Sequence, residues 1–186
     1  MSGSRDELEL KARVDDAAAL EAALQRAGAE LVFKGEMRDR RFDRNDKLKA
    51  RDEVLRLRSY TGTASYGVLA WKGPVSVQDG YKHREEHEAR VADPEAALTI
   101  LEHLGYEVVM RIDRTIAEYR LRDAAVRIEW YPAMDVLVEV EGEPRAIEQA
   151  ISATGIPRDR FLSESLPFFV DDYERRTGRA ARIALS

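Results

Sequence analysis

Segment after segment of this sequence places full charges of both signs on one face of a strand and aliphatic side chains on the other. Side chains alternate across a strand, so residues i, i+2 and i+4 share a face. In residues 7–14, Glu7, Glu9, Lys11 and Arg13 fall on one face, and Leu8, Leu10, Ala12 and Val14 on the other. Arg56 and Arg58 alternate with Leu55 and Leu57, and Arg84, Glu86 and Glu88 share a face. Arg127 and Glu129 alternate with Val126 and Ile128, and Glu139 and Glu141 with Val138 and Val140. Charged residues make up 35% of the chain, against about 25% in an average soluble domain, and much of the excess lies here. One such strand is an ordinary solvated face. The recurrence, with few Ser, Thr or Gln among the charges, points to faces that converge inside a barrel. Dry burial of so many charges is prohibitive, so such a chamber must hold water, metal ions and a polyanion.

The other elements fit around these strands. Asp15 and Asp16 are N-cap residues for an Ala/Leu-rich helix that ends at Gly28. A Thr-Gly-Thr turn at residues 61–63 joins two strands as a hairpin, and Gly73-Pro74 is expected to open a loop. Pro94 and Pro144 stand at the first turn of two further helices, and a short helix is expected near residues 168–175. With 186 residues and a prior of about 100–200 per domain, we expect one α+β domain over residues 1–186. Its core covers about 5–175, and residues 176–186 form a mobile basic tail. There is no cysteine, which excludes disulfides and thiolate chemistry. A net charge of −5 argues against nucleic acid as a partner. No run approaches the ~18 apolar residues of a membrane span, and the expected location is the cytoplasm.

Paired carboxylates on adjacent strands suit Mg²⁺ or Mn²⁺, hard cations that prefer oxygen ligands. Arginine and lysine suit phosphate oxygens, arginine bidentately. The two signs together fit a metal–polyphosphate complex better than a bare anion or cation.

Glu7-Leu8-Glu9-Leu10-Lys11 is an ExExK strand, followed in order by Arg40-Arg41-Phe42-Asp43, Leu55-Arg56-Leu57-Arg58, Leu69-Ala70-Trp71-Lys72-Gly73-Pro74, Arg84-Glu85-Glu86-His87-Glu88 and Val138-Glu139-Val140-Glu141. In this order and spacing, over roughly residues 5–170, they resemble the CYTH superfamily, the triphosphate tunnel metalloenzymes, and most of all its CyaB-type, class IV adenylyl cyclase-like branch beside the thiamine triphosphatases. The resemblance implies a closed, antiparallel, eight-stranded β-barrel with helices packed outside and a triphosphate in its tunnel. It implies metal ligation, direct or through a neighbour, by Glu7, Glu9, Glu139 and Glu141. Triphosphate binding is implied for Lys11, Arg56, Arg58, Lys72, Arg84 and Arg114, with Lys11, Arg58 and Glu139 closest to catalysis. Arg13, Glu86, Glu88, Arg127 and Glu129 complete the lining. Arg111 and Arg114 are three apart and cannot share a face of a regular strand, and Arg114 is preferred. Arg40-Arg41-Phe42-Asp43 stands where the family often has a Tyr/Phe-Phe-Asp strand end, and its carboxy-terminal Ser-Tyr-x-x-Leu is not recognisable in residues 165–169.

The expected function is a divalent-metal-dependent phosphohydrolase on inorganic, thiamine or nucleoside triphosphate, because hydrolysis needs a phosphate site but no base pocket. The alternatives are an adenylyl cyclase forming cyclic AMP and pyrophosphate in the same cradle, and a non-catalytic polyphosphate or nucleotide sensor. The expected partner is a small triphosphate, with neither nucleic acid nor membrane, and a homodimer is left open. His83, His87 and His103 are too scattered for a zinc site, and His87 falls on the Glu85 face, away from Glu86 and Glu88. Trp71 and Trp130 read as outer-face packing residues.

Overall fold

Alternation makes residues 8–14 a strand, and Asp16 decides where the following helix begins. Its side chain accepts a hydrogen bond from the Ala19 N–H, satisfying one of the donors that a helix N-terminus leaves open. The structure, a computed structural model, describes residues 8–78 and 81–185, with the side chains of all but 75–78 and 81–84. Glu7 lies outside the described residues, as does the side chain of Arg84. The elements are β1 (Leu8–Val14), α1 (Ala17–Arg26), β2 (Glu30–Asp43), β3 (Val54–Gly62), β4 (Ser65–Gln78), β5 (Tyr81–Val91) and α2 (Pro94–His103). They continue with β6 (Glu107–Leu121), β7 (Ala124–Trp130), β8 (Val136–Gly142), α3 (Pro144–Thr154) and α4 (Leu166–Thr177). The fold is α+β, with an antiparallel sheet of eight strands in the order β1-β8-β7-β6-β2-β3-β4-β5.

Two compact units divide the chain. One is the mid-chain unit, Met37–Asp113, and the other is the end unit, Glu7–Glu36 with Arg114–Ser186. In the end unit, Ala12, Val14, Val126, Ile128, Val138 and Val140 point from the strands into a core with Leu20 and Leu24 of α1 and Ile147 and Ile151 of α3. Each large aliphatic side chain buried there contributes roughly 1.5–3 kcal/mol of transfer free energy. In the mid-chain unit, Phe42 and Leu57 pack on Leu101 of α2, with Leu55 and Leu69 beside them. The aliphatic half of each alternating strand is therefore spent on helices, which fixes the opposite faces as the charged ones.

Two expectations need correction. Gly73-Pro74 does not open a loop, because β4 continues to Gln78, and its ladder with β5 shifts register between Lys72 and Val75. A bulge accepts a proline that a regular ladder would exclude for want of an N–H. Nor is the basic carboxy-terminal segment a free tail. Gly178, at φ +67°, turns the chain back after α4, and Ala133 and Arg182 exchange backbone hydrogen bonds of 2.9 and 2.8 Å. Arg176 also pairs with Asp135, and the Ala181 N–H donates to Glu174 at 2.9 Å.

Candidate active site

Register places the charges of the end unit in rows. Directly opposed residues of antiparallel strands share a face, so three pairings extend the β1 pattern across four strands. Lys11 opposes Glu139, which opposes Arg127, which opposes Glu118, a row of alternating sign. One row away, Glu9 opposes Glu141, whose other neighbour is Ala125. On the far side, Arg13 opposes Leu137, which opposes Glu129.

The contacts follow the rows. Lys11 Nζ lies 2.7 Å from Glu139 Oε2 and 2.7 Å from Glu9 Oε1. Arg127 Nη1 reaches Glu139 Oε1 at 2.9 Å, and its Nε stands 3.6 Å from Glu118. Arg114 Nε donates to Glu129 Oε1 at 2.9 Å, and the Tyr131 hydroxyl donates to Glu129 Oε2 at 2.6 Å. These groups are not on a solvated face: Lys11 is 8% exposed, Glu139 7%, Glu129 2% and Arg114 9%. Burial works against the charge of Glu139, but the cations of Arg127 and Lys11 outweigh it and hold its carboxyl well below the usual range. Burial likewise disfavours the Lys11 ammonium, and Glu139 and Glu9 together more than compensate, leaving its pKa raised. The Tyr131 hydroxyl is pushed far up by burial and by the Glu129 carboxylate, so it remains a donor.

Like charges directly opposite one another destabilise a ladder, and Glu9 and Glu141 are such a pair. With Glu139 they present three carboxylate oxygens within 4.8 Å of one another. Metal–oxygen distances of about 2.0–2.6 Å place ligands on one ion within about 4–5 Å of each other, so the cluster can hold a hard divalent cation.

The mid-chain unit carries a second charged face. Arg56 stands opposite Ala70 and Arg58 opposite Val68 on β4, whose other neighbours on β5 are Glu88 and Arg90. Asp39 of β2, 3% exposed, holds the two arginines: its Oδ1 accepts from Arg58 Nε at 3.0 Å and stands 3.8 Å from Arg56 Nε. Burial, and next the Arg58 charge, lower the Arg56 pKa, though a guanidinium stays protonated. Lys72 pairs with Glu86 at 2.8 Å, and Arg56 Nη2 lies 3.6 Å from the half-exposed Glu88. His87 is on the other face, 2.7 Å from Glu85 and stacked on Trp71.

The CYTH domain family matches residues 5–153. The chain belongs to the CYTH family. No curated protein sequence matches it, but solved structures do. A candidate adenylate cyclase from Vibrio parahaemolyticus superposes with a TM-score of 0.73 at 16% identity, over 91% of this chain and 99% of that one. PH1012 of Pyrococcus horikoshii gives 0.66 at 18% identity, over 88% and 98%. A candidate adenylyl cyclase from Hippeastrum, described as having a dominant triphosphatase activity, gives 0.59 at 17%, over 94% and 97%. At such identities the likeness concerns the fold.

For this CYTH chain the structure brings Glu9, Lys11, Arg127, Glu139 and Glu141 together on one face of the end unit, with Arg114 paired to Glu129 beside them. Arg13 turns to Asp15 at 3.3 Å. Arg111 is exposed, on the strand face opposite to Arg114. Sequence reading missed Asp39, Glu118 and Tyr131. Tyr131 follows Glu129 by two, so the same alternation makes it legible as a neighbour on that face. Asp39 is signalled only by the need of Arg56 and Arg58 for a counter-charge.

Proposed function

We propose that this CYTH protein is a divalent-metal-dependent phosphohydrolase acting on a triphosphate, whether inorganic, thiamine or nucleoside. The observation that carries the reading is the Glu9–Glu141 opposition with Glu139 alongside, edged by the buried cations Lys11 and Arg114 and by the partly buried Arg127. An acidic cluster beside ammonium and guanidinium groups is the donor set that a metal–polyphosphate complex requires. Glu9, Glu139 and Glu141 would hold Mg²⁺ or Mn²⁺, and motif resemblance adds Glu7. The bound ion would neutralise phosphate charge and order the attacking water.

The chain's own groups do the rest. Lys11 Nζ binds a phosphate oxygen, and Glu139, anchored by Arg127, fixes the position of that ammonium. Arg114 is held in orientation by Glu129, which is itself held by the Tyr131 hydroxyl. The motif resemblance assigns Arg56, Arg58, Lys72 and Arg84 to phosphate binding as well. Water attacks the terminal phosphorus, and the bond to the bridging oxygen breaks. Orthophosphate and the diphosphate leave, with one proton released to solvent. Such chemistry depends mainly on positioning and on offsetting charge at the leaving oxygen.

Phosphorus NMR on purified protein with ATP, thiamine triphosphate and inorganic triphosphate in turn, with Mg²⁺ or Mn²⁺ and an EDTA control, tests the reading. Metal-dependent orthophosphate is the expected product. Cyclic AMP with pyrophosphate from ATP would replace the hydrolase by a cyclase, and binding of all three without turnover would replace it by a sensor.

A further inference from the structure

Arg41 belongs to no pairing so far described. It lies on β2, where Phe42 points into the cluster of Leu57 and Leu101. The neighbouring side chain must point the opposite way, and Asp39, two residues earlier, shows where: its carboxylate meets Arg56 and Arg58. Arg40, in phase with Phe42, instead pairs with Asp113 at 2.6 Å. Arg41 is therefore a third guanidinium on the Arg56–Arg58 face, one alternate position, or roughly 6.5–7 Å, along the strand from Asp39.

Among the described residues, the buried acceptors on that face are too few, since Glu88 is half-exposed and Glu86 pairs with Lys72. Arg41 Nε is buried and makes no hydrogen bond, and Arg56 Nε likewise. Asp39 is a buried carboxylate facing Arg56 and Arg58, and the short bond it accepts comes from Arg58. A buried guanidinium donor without an acceptor is costly to leave unmade, and a phosphate oxygen is the acceptor whose geometry the guanidinium fork matches.

We propose that Arg41 is a further phosphate-binding residue, supplying a third guanidinium to the polyphosphate chain beside Arg56 and Arg58. The assignment rests on the triphosphate reading above. It makes Arg41 a ligand-binding side chain that does not stabilise the free protein, so binding and stability must respond in opposite ways to its removal.

The test is calorimetric titration of the full chain with inorganic triphosphate, alongside thermal melts without ligand, for wild type, Arg41→Gln, Arg41→Lys and Arg26→Gln. Arg26 is exposed on α1 and controls for the loss of one positive charge from the protein's overall field. Losing a charge-assisted hydrogen bond predicts a Kd raised roughly 10- to 150-fold in Arg41→Gln. Arg41→Lys should recover part of it, and the ligand-free melting temperature should stay equal or rise. The inference is overturned by an Arg41→Gln affinity within about twofold of wild type, by an equal loss in Arg26→Gln, or by melting of both Arg41 variants well below wild type, which would make Arg41 structural. A wild type that binds no triphosphate refutes the proposed function and this inference with it. Wild-type binding that Arg41→Gln leaves unchanged refutes the inference alone.

Discussion

Replacing Glu139 by Gln keeps the shape of the side chain and removes the charge at the centre of the Lys11–Glu139–Arg127–Glu118 row. Glu139 is buried and meets Lys11 at 2.7 Å and Arg127 at 2.9 Å. Removing one partner of a buried ion pair costs about 3–5 kcal/mol, because the other charge is left uncompensated. Here both cations keep a second carboxylate, Lys11 through Glu9 at 2.7 Å and Arg127 through Glu118 at 3.6 Å. The loss should therefore sit at the lower end, about 3 kcal/mol. That is a large part of a total stability of about 5–15 kcal/mol, and at about 2–4 °C per kcal/mol it lowers Tm by about 6–12 °C. The pH dependence gives a second reading. The Glu139 carboxyl titrates lower when folded than its ordinary value of 4.5, its cationic neighbours outweighing burial. Its stabilisation is thus complete above 4.5 and lost as pH falls through the folded value of about 2. Denaturant titrations from pH 7 to pH 2, followed by circular dichroism and tryptophan fluorescence, should show wild type losing stability over that window and Glu139→Gln losing less. A variant within about 0.5 kcal/mol of wild type at pH 7, far below the cost expected for a buried pair, would refute the reasoning, as would an unchanged acid limb.

Two further substitutions probe other parts of the account. Asp39→Asn leaves Arg56 and Arg58 facing each other without their buried counter-charge, with only the half-exposed Glu88 near Arg56, and should cost about 3 kcal/mol. Inorganic triphosphate should then raise its Tm by more than it raises that of wild type, and an equal or smaller rise would count against phosphate binding on this face. Gly142→Ala places a methyl carbon 3.0 Å from the Asp123 carbonyl oxygen at φ +148°, and should destabilise the end of β8 by about 1–3 kcal/mol. A melt indistinguishable from wild type would show that this turn relaxes freely.

Alternation was enough to place Glu9, Lys11, Arg127, Glu139 and Glu141 on charged faces, because the aliphatic residues between them had only the helices to bury against. What alternation could not supply was register. That Glu9 opposes Glu141 rather than Glu139 depends on how β1 and β8 slide against each other, and a one-residue slip would send every side chain to the other face. Asp39 was missed for the same reason, since its significance lies in a neighbouring strand. Gly73-Pro74 read as a stop because proline removes a ladder donor, and only the pairing with β5 reveals the bulge that accommodates it. The carboxy-terminal segment looked mobile from its charge, whereas its two hydrogen bonds to Ala133 are backbone contacts that no side-chain pattern announces.

The central claim is that Glu9, Glu139 and Glu141 hold a metal ion needed for triphosphate cleavage. Its most direct test is the initial rate of orthophosphate release from inorganic triphosphate as Mg²⁺ or Mn²⁺ is titrated, in wild type and in Glu141→Gln. The account predicts no release in EDTA, saturation by metal in wild type, and at least a tenfold higher metal requirement in the variant, about 1.4 kcal/mol of lost binding. Release that persists in EDTA, or a metal requirement that Glu141→Gln leaves unmoved, would contradict it.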